Sequence, residues 1–317
     1  MTEITDCCSE CEHITHDQDG EEYADCSDEN CKCHSITREK HTIYKEGKFN
    51  IDKPFENTLH TGDCLDVMKT LEDNSIDLTV TSPPYDNLRT YNGYTFNFEG
   101  IAQELYRVTK QGGVVVWVVG DATIKGSETG TSFKQALYFK EIGFNLHDTM
   151  IWSKQTFTAT GALKTRYAQT FEYMFVFVKG KIKTFNPIKD KPNKSYGKKI
   201  HGSVTQKDGS MKPVTTNGNL IPEFGQRFNV WNVNTEVSNS LRCGHPAPFP
   251  EKLAEDHILS WSNEGDTVLD PMAGSGTTLK MAKKNNRNYI GIEISPEYIE
   301  IINKRLTTPL SDNHKEV

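Results

Sequence analysis

Residues 81–85 read Thr81-Ser82-Pro83-Pro84-Tyr85 and close the strand-like run Ile76–Val80. The Ser82 hydroxyl and the Pro83 carbonyl are acceptors on a chain that two prolines keep stiff and extended. The Tyr85 ring beside them offers a flat face. This set suits a planar ring bearing an amino group. The lone pair of such an amine is delocalised, and acceptors aimed at its two protons favour a pyramidal, reactive nitrogen. The plainer alternative is a strand-ending turn. Far along the chain, Thr267–Leu269 runs into Asp270-Pro271-Met272-Ala273-Gly274-Ser275-Gly276-Thr277. Gly274 and Gly276 would let backbone approach a ligand, and the helix that follows points its N-terminus at an anionic group. A lone Gly-x-Gly is weak evidence. Here Glu293 ends the next strand 17 residues after Gly276, near the roughly 20-residue spacing at which an acid meets ribose hydroxyls in dinucleotide sites. Nucleotide binding without group transfer is the plainer alternative for this segment.

In this order the two segments resemble the amino-methylating DNA methyltransferases, which make N4-methylcytosine or N6-methyladenine. The Ser-Pro-Pro-Tyr piece first and the glycine loop last resembles their beta group, over roughly residues 57–306. The resemblance implies a doubly wound, Rossmann-like α/β sheet in which the strands carrying Asp270 and Thr81 are neighbours, S-adenosyl-L-methionine as cofactor, and double-stranded DNA as partner with its target base flipped out into the same cleft. It implies Ser82, Pro83, Pro84 and Tyr85 as the catalytic segment. It implies cofactor contacts from Asp270, Pro271, Met272, Gly274, Ser275, Gly276, Thr277 and Glu293. Gly62-Asp63-Cys64 is similar to the segment that meets the cofactor's adenine, which adds Asp63 and Cys64. His245-Pro246-Ala247-Pro248-Phe249-Pro250 is similar to the segment that closes over the methionine end, which adds His245, Pro246 and Phe249. Met272 departs from the family's common Phe. Serine at the first position of the four-residue motif leans toward cytosine N4 and aspartate toward adenine N6, so cytosine is the expectation and adenine the alternative. Glutamine methylation in release factors uses a similar motif, but after the glycine loop. A catalytically silent DNA-binding module is the more distant alternative, and a cognate restriction endonuclease is a candidate partner.

Elements that would position these residues are visible in the apolar spacing. Asn57–Thr61 reads as a strand, and Leu65, Met68 and Leu71 as a helix face. Ile101, Leu105 and Val108 mark a second helix, which Gly112-Gly113 would stop. Val114–Val119 is a β-branched run suited to a strand buried on both faces. Asp148–Trp152 and Tyr173–Val178 are strand-like. Pro250–Trp261 and the stretch from Leu279 to Lys284 are helical, and Tyr289–Ile294 is a strand. Ser295-Pro296 would cap a last helix with Ile299, Ile302 and Leu306 inward. Strands alternating with helices predict a parallel, doubly wound sheet.

The 317 residues carry a formal charge of −7, distributed unevenly. Residues 1–35 hold eleven acids against Lys32, a net of −10, which leaves +3 for the rest. Six cysteines lie in that tail: Cys7, Cys8, Cys11, Cys26, Cys31 and Cys33. In a cytosolic chain they suggest a structural zinc before disulfides, and an acidic tail with idle thiols is the alternative. Between Lys179 and Thr235 eleven Lys and Arg face Asp190, Asp208 and Glu223 in a Gly-, Pro- and Asn-rich stretch. It reads as a DNA-contacting insertion, with Lys194, Lys198, Lys199, Lys207 and Lys212 for phosphates, or as a long solvated loop. No apolar run is long enough to span a bilayer, so a cytoplasmic protein is expected. The division predicted is an acidic Cys/His-rich extension at 1–45, a catalytic half at 55–180, a target-recognition insertion at 181–236 and a cofactor-binding half at 237–310.

Overall fold

The computed structural model describes residues 57–84, 96–154, 165–235 and 250–308, and the backbone of two short strands nearer the N-terminus. Those two, Ile14–His16 and Glu22–Ala24, pair antiparallel within a unit ending at Pro54. The expected cysteine cluster lies outside the described residues, as do Tyr85, His245, Pro246 and Phe249.

The second unit, Phe55–Val317, is built on one eight-stranded sheet. Its strands are β1 (Thr58–Thr61), β2 (Ile76–Thr81), β3 (Thr109–Val119), β4 (Asn145–Ser153), β5 (Phe171–Val178), β6 (Val230–Asn232), β7 (Thr267–Asp270) and β8 (Asn288–Glu293). The spatial order is β6-β4-β5-β3-β2-β7-β8-β1. Among the described residues the helices are α1 (Cys64–Lys69), α2 (Phe98–Val108), α3 (Thr131–Glu141), α4 (Glu251–Trp261), α5 (Thr277–Lys284) and α6 (Pro296–Thr307).

The valine run in β3 shows why this unit has three layers. Val114, Val116 and Val118 point into a core shared with Leu253 and Ile258 of α4, Leu279 of α5 and Ile302 of α6. Val115, Trp117 and Val119 point the other way, onto Met68 of α1, Leu105 of α2 and Phe139 of α3. Strand alternation sends successive side chains to opposite faces. Burying each such side chain stabilises by roughly 1.5–3 kcal/mol.

The sheet is mixed rather than parallel throughout. β5 runs antiparallel to both β3 and β4, while the other described pairings are parallel. Parallel neighbours need a crossover, usually a helix. The antiparallel β4 and β5 need none, and their pairing is prolonged by Lys154 N donating to Thr170 O.

Two local expectations also need correction. α2 stops at Val108, not at Gly112-Gly113, and both glycines lie inside β3. The stop comes from Thr109, whose hydroxyl bonds Leu105 O, and from Lys179 Nζ, which caps the carbonyls of Tyr106 and Thr109. Gly113 is needed because a Cβ there would lie 3.0 Å from Asp77 O. Ser295 sits at the N-cap of α6, but its side chain makes no capping bond.

The basic insertion is not a structureless loop. Residues 191–225 form an antiparallel arm: Lys191-Pro192 pairs with Phe224-Gly225, Lys199 with Leu220, and Ser203–Thr205 with Met211–Pro213. Most of its residues are exposed.

Candidate active site

β2 and β7 are neighbours, with Leu78 opposite Val268 and Thr79 opposite Leu269. From β2 the chain continues to β3 on one side, and from β7 to β8 on the other. Such a divergence makes the strands' carboxyl ends the usual ligand position in sheets of this kind. Ser82-Pro83-Pro84 leaves the end of β2, and Asp270 ends β7 beside it. Pro83 is buried; Ser82 and Pro84 are half-exposed.

Asp270 ties the two segments together. Thr81 Oγ1 donates to its Oδ1 at 2.8 Å, and Met272 N donates to the same oxygen at 3.2 Å. Thr278 Oγ1 of α5 reaches back to Val80 O at 3.2 Å. Burial raises the Asp270 carboxyl to about 6, against its hydrogen bonds and with the help of the Glu293 charge.

Glu293 organises the glycine loop. Gly274 N donates to Oε2 at 2.7 Å and Ser295 N to Oε1 at 2.9 Å. Burial pushes its carboxyl above the usual range, and the backbone donors oppose that. Each carboxylate oxygen can still accept another bond, so a ribose hydroxyl fits this acid. Gly276 caps α5 with φ +75°, and a Cβ there would sit 2.9 Å from Ile302 side-chain atoms. Ala273 N bonds Ile292 O and Gly276 N bonds Ala273 O, so the loop is wound tightly against β8.

On the far side of β8, Glu293 is in register with Thr61 of β1. Gly62 N donates to Glu293 O at 3.0 Å. Asp63 caps α1 by accepting from Leu65 N at 2.8 Å. The Cys64 thiol is half-buried, and burial, with the Asp63 charge next, pushes it up to about 12. Burial thus favours the neutral thiol at this position. Pro271 is buried, and Met272 packs partly buried on the same core cluster as Cys64.

The fold thus brings Ser82, Pro83, Pro84, Asp63, Cys64 and the segment Asp270–Thr277 with Glu293 to one edge of the sheet. Several partners of this edge escaped the motif reading. Thr81 is the residue just before the Ser-Pro-Pro segment, and its adjacency was the available signal. Arg305 had none. From α6 its Nη1 donates to Ser275 O at 2.7 Å, Ser275 Oγ at 2.9 Å and Thr277 Oγ1 at 3.1 Å. Its Nη2 pairs with Glu251 at the start of α4 at 2.7 Å. Asp121, at the end of β3, accepts from Ser132 N at 2.9 Å and so anchors α3. A cavity of about 250 Å³ lined by His147, Phe185, Asn229 and Trp261 lies by the opposite strand ends and contains none of these residues. Lys194, Lys198, Lys199, Lys207 and Lys212 are exposed on the arm. Among the described residues no helix is long and apolar enough to cross a membrane.

Residues 76–304 match a family profile described as DNA methylase, of the N6/N4 class. The chain is 61% identical over 244 residues to the orphan methyltransferase M.BamHII of Bacillus amyloliquefaciens, covering 75% of this chain and 91% of the relative. It superposes on a putative DNA modification methylase of Thermus thermophilus, solved with S-adenosyl-L-methionine, with TM-score 0.55 and 26% identity; 79% of this chain and 93% of that one are covered. The cytosine-N4-specific PvuII DNA methyltransferase shares the fold with TM-score 0.59 at 22% identity, over 81% of this chain and 88% of that one.

Proposed function

The chain belongs to the N6/N4 DNA methylase family and is an S-adenosylmethionine-dependent DNA methyltransferase, and from that premise we propose that it methylates the exocyclic N4 amine of cytosine in duplex DNA. The observation that carries the reading is the pairing of β2 with β7, which sets Ser82-Pro83-Pro84 beside the Asp270–Thr277 loop.

The cofactor supplies an electrophilic methyl group on sulfonium. The chain supplies placement. Asp270, Pro271, Met272, Gly274, Ser275, Gly276 and Thr277 would hold the methionine end, with the α5 N-terminus favouring its carboxylate. Glu293 would take the ribose hydroxyls, and Asp63 and Cys64 would border the adenine. His245, Pro246 and Phe249 would close the methionine end. Ser82 Oγ and the Pro83 carbonyl would accept the two protons of the target amine. Pro83 and Pro84 fix the direction of both acceptors, and Tyr85 would stack on the flipped base. No strong base is needed, because the amine loses its proton after the methyl arrives. The remaining requirement is in-line alignment of nitrogen, methyl and sulfur.

Cytosine is favoured over adenine by the neutral Ser82, where an aspartate would offer an ionised acceptor. The arm would hold the duplex through Lys194, Lys198, Lys199, Lys207 and Lys212. A cognate restriction endonuclease is a candidate partner, since Type II methyltransferases are among the relatives alongside the orphan M.BamHII. Nucleoside mass spectrometry of DNA treated with the protein and cofactor tests the base. N4-methylcytosine is expected, and N6-methyladenine alone would overturn the assignment.

A further inference from the structure

The arm is a duplication. Lys191-Pro192-Asn193-Lys194-Ser195-Tyr196-Gly197-Lys198-Lys199-Ile200 recurs 21 residues later as Lys212-Pro213-Val214-Thr215-Thr216-Asn217-Gly218-Asn219-Leu220-Ile221, sharing the Lys-Pro start, the Gly and the Ile. The backbone repeats with it. Both glycines have positive φ, +74° and +89°. In the first copy Tyr196 N bonds Asn193 O and Lys198 N bonds Ser195 O; in the second Asn217 N bonds Val214 O and Asn219 N bonds Thr216 O.

The copies also bond each other reciprocally. Gly197 N donates to Ile221 O and Gly218 N to Ile200 O, both at 3.0 Å. Ile200 N donates to Asn219 O at 2.8 Å, and Ile221 N to Lys198 O at 2.9 Å. Asn193 N donates to Glu223 O at 2.8 Å, and Val214 N to Gly202 O at 3.0 Å. Each bond is regenerated by moving one partner 21 residues forward and the other 21 back, which is the signature of a twofold rotation. The axis passes through the pair Lys199–Leu220, which maps onto itself. A twofold rotation keeps equivalent points at the same height along its axis. The turns Lys194–Lys198 and Thr215–Asn219 therefore stand at the same height along the axis, on opposite sides of it. A Cβ on Gly197 or Gly218 would meet nothing within 4 Å, so both turns open outward.

The two strands of duplex DNA are themselves related by twofold axes across the groove, and two-fold proteins exploit this by matching dyads. A two-stranded ribbon also fits the major groove. We propose that the arm docks with its internal twofold on a local dyad of the duplex, each turn against the backbone of one strand. This rests on the reading of the insertion as the DNA-contacting region. The first turn carries the charge, Lys194 and Lys198. The second holds the equivalent positions with the neutral Thr215 and Asn219, which suit uncharged hydrogen bonds to phosphate.

The symmetry can be tested by adding charge to the neutral copy. All four positions are exposed, so substitution leaves no cavity. The readout is the slope of log affinity against log salt for a labelled random-sequence duplex, measured on the full chain. Each phosphate contact contributes about 0.9 to that slope on B-DNA. Thr215→Lys with Asn219→Lys should steepen it by about 1.8, and Lys194→Ala with Lys198→Ala should flatten it by a similar amount. If only the alanine pair acts, one copy alone meets DNA and the matched-dyad proposal fails while the insertion reading stands. If neither pair alters the slope of a protein that still binds duplex, the arm is not the DNA contact and both fail.

Discussion

Asp270 and Glu293 are the two carboxylates on which the glycine loop is folded, and their work is done on backbone and hydroxyl donors. Both were legible in the sequence as strand-ending acids flanking Gly-x-Gly. The neighbouring strands of Asp270 and Thr81 were expected from the resemblance, but the hydrogen bond between the two residues, 189 positions apart, and the reach of Arg305 from a separate helix were not legible. Glu293→Gln keeps the shape but turns an amide group toward one of the N–H donors that the acid satisfies. Leaving such a donor unmet costs about 1–3 kcal/mol. Cofactor affinity should fall by roughly tenfold or more on this scale, read by calorimetric titration. An unchanged affinity would mean that cofactor binding depends on neither the Glu293 charge nor the loop donors it satisfies.

At the scale of elements, long periodic segments were readable and short-range exceptions were not. α3 was missed because its pattern misleads. Phe133 and Leu137 are exposed, while Ser132 and Gln135 are buried by bonds to Asp121 and Trp117. The antiparallel turn of β5 left no mark in the apolar pattern of a strand buried on both sides. The duplication in the arm was present in the letters, but few of its positions are identical, and its meaning emerges only from the reciprocal backbone bonds. The α5 cap is the element most exposed to a single change. Gly276→Ala puts a Cβ at positive φ and against Ile302. Such strain costs of order 1–3 kcal/mol. The thermal midpoint and cofactor affinity should both drop. Adding Ile302→Ala should leave the affinity loss in place, because the backbone strain persists. Full recovery would assign the effect to the clash alone.

For the whole molecule, two buried groups set opposing pH dependences. His257 is enclosed between Trp231, Trp261 and Met174, and burial, with the Arg227 charge second, lowers it to about 3. The unfolded chain protonates this histidine below about pH 6.5 and the native chain does not, so stability is lost as pH falls from there toward 3. Asp270, raised to about 6, works the other way. The native chain keeps its proton where the unfolded chain has released it, so its cost grows as pH rises from about 4 to 6 and is complete above that. Acid stability should therefore look flatter than either group alone would give. His257→Phe keeps the stacking on Trp231 and removes the first effect. Relative to the parent, it should gain about 2 kcal/mol between pH 6.5 and pH 5, measured by urea unfolding. A difference independent of pH would mean that His257 is not the group responsible.

The central claim is that Ser82 acts on the target amine and not on the cofactor. Single-turnover transfer of labelled methyl to unmethylated DNA by Ser82→Ala, with cofactor affinity measured on the same protein, tests it directly. Loss of one preorganised acceptor should slow transfer by about 10²–10³-fold with cofactor affinity unchanged. An equal loss of cofactor affinity, or transfer at the parent rate, would contradict the account.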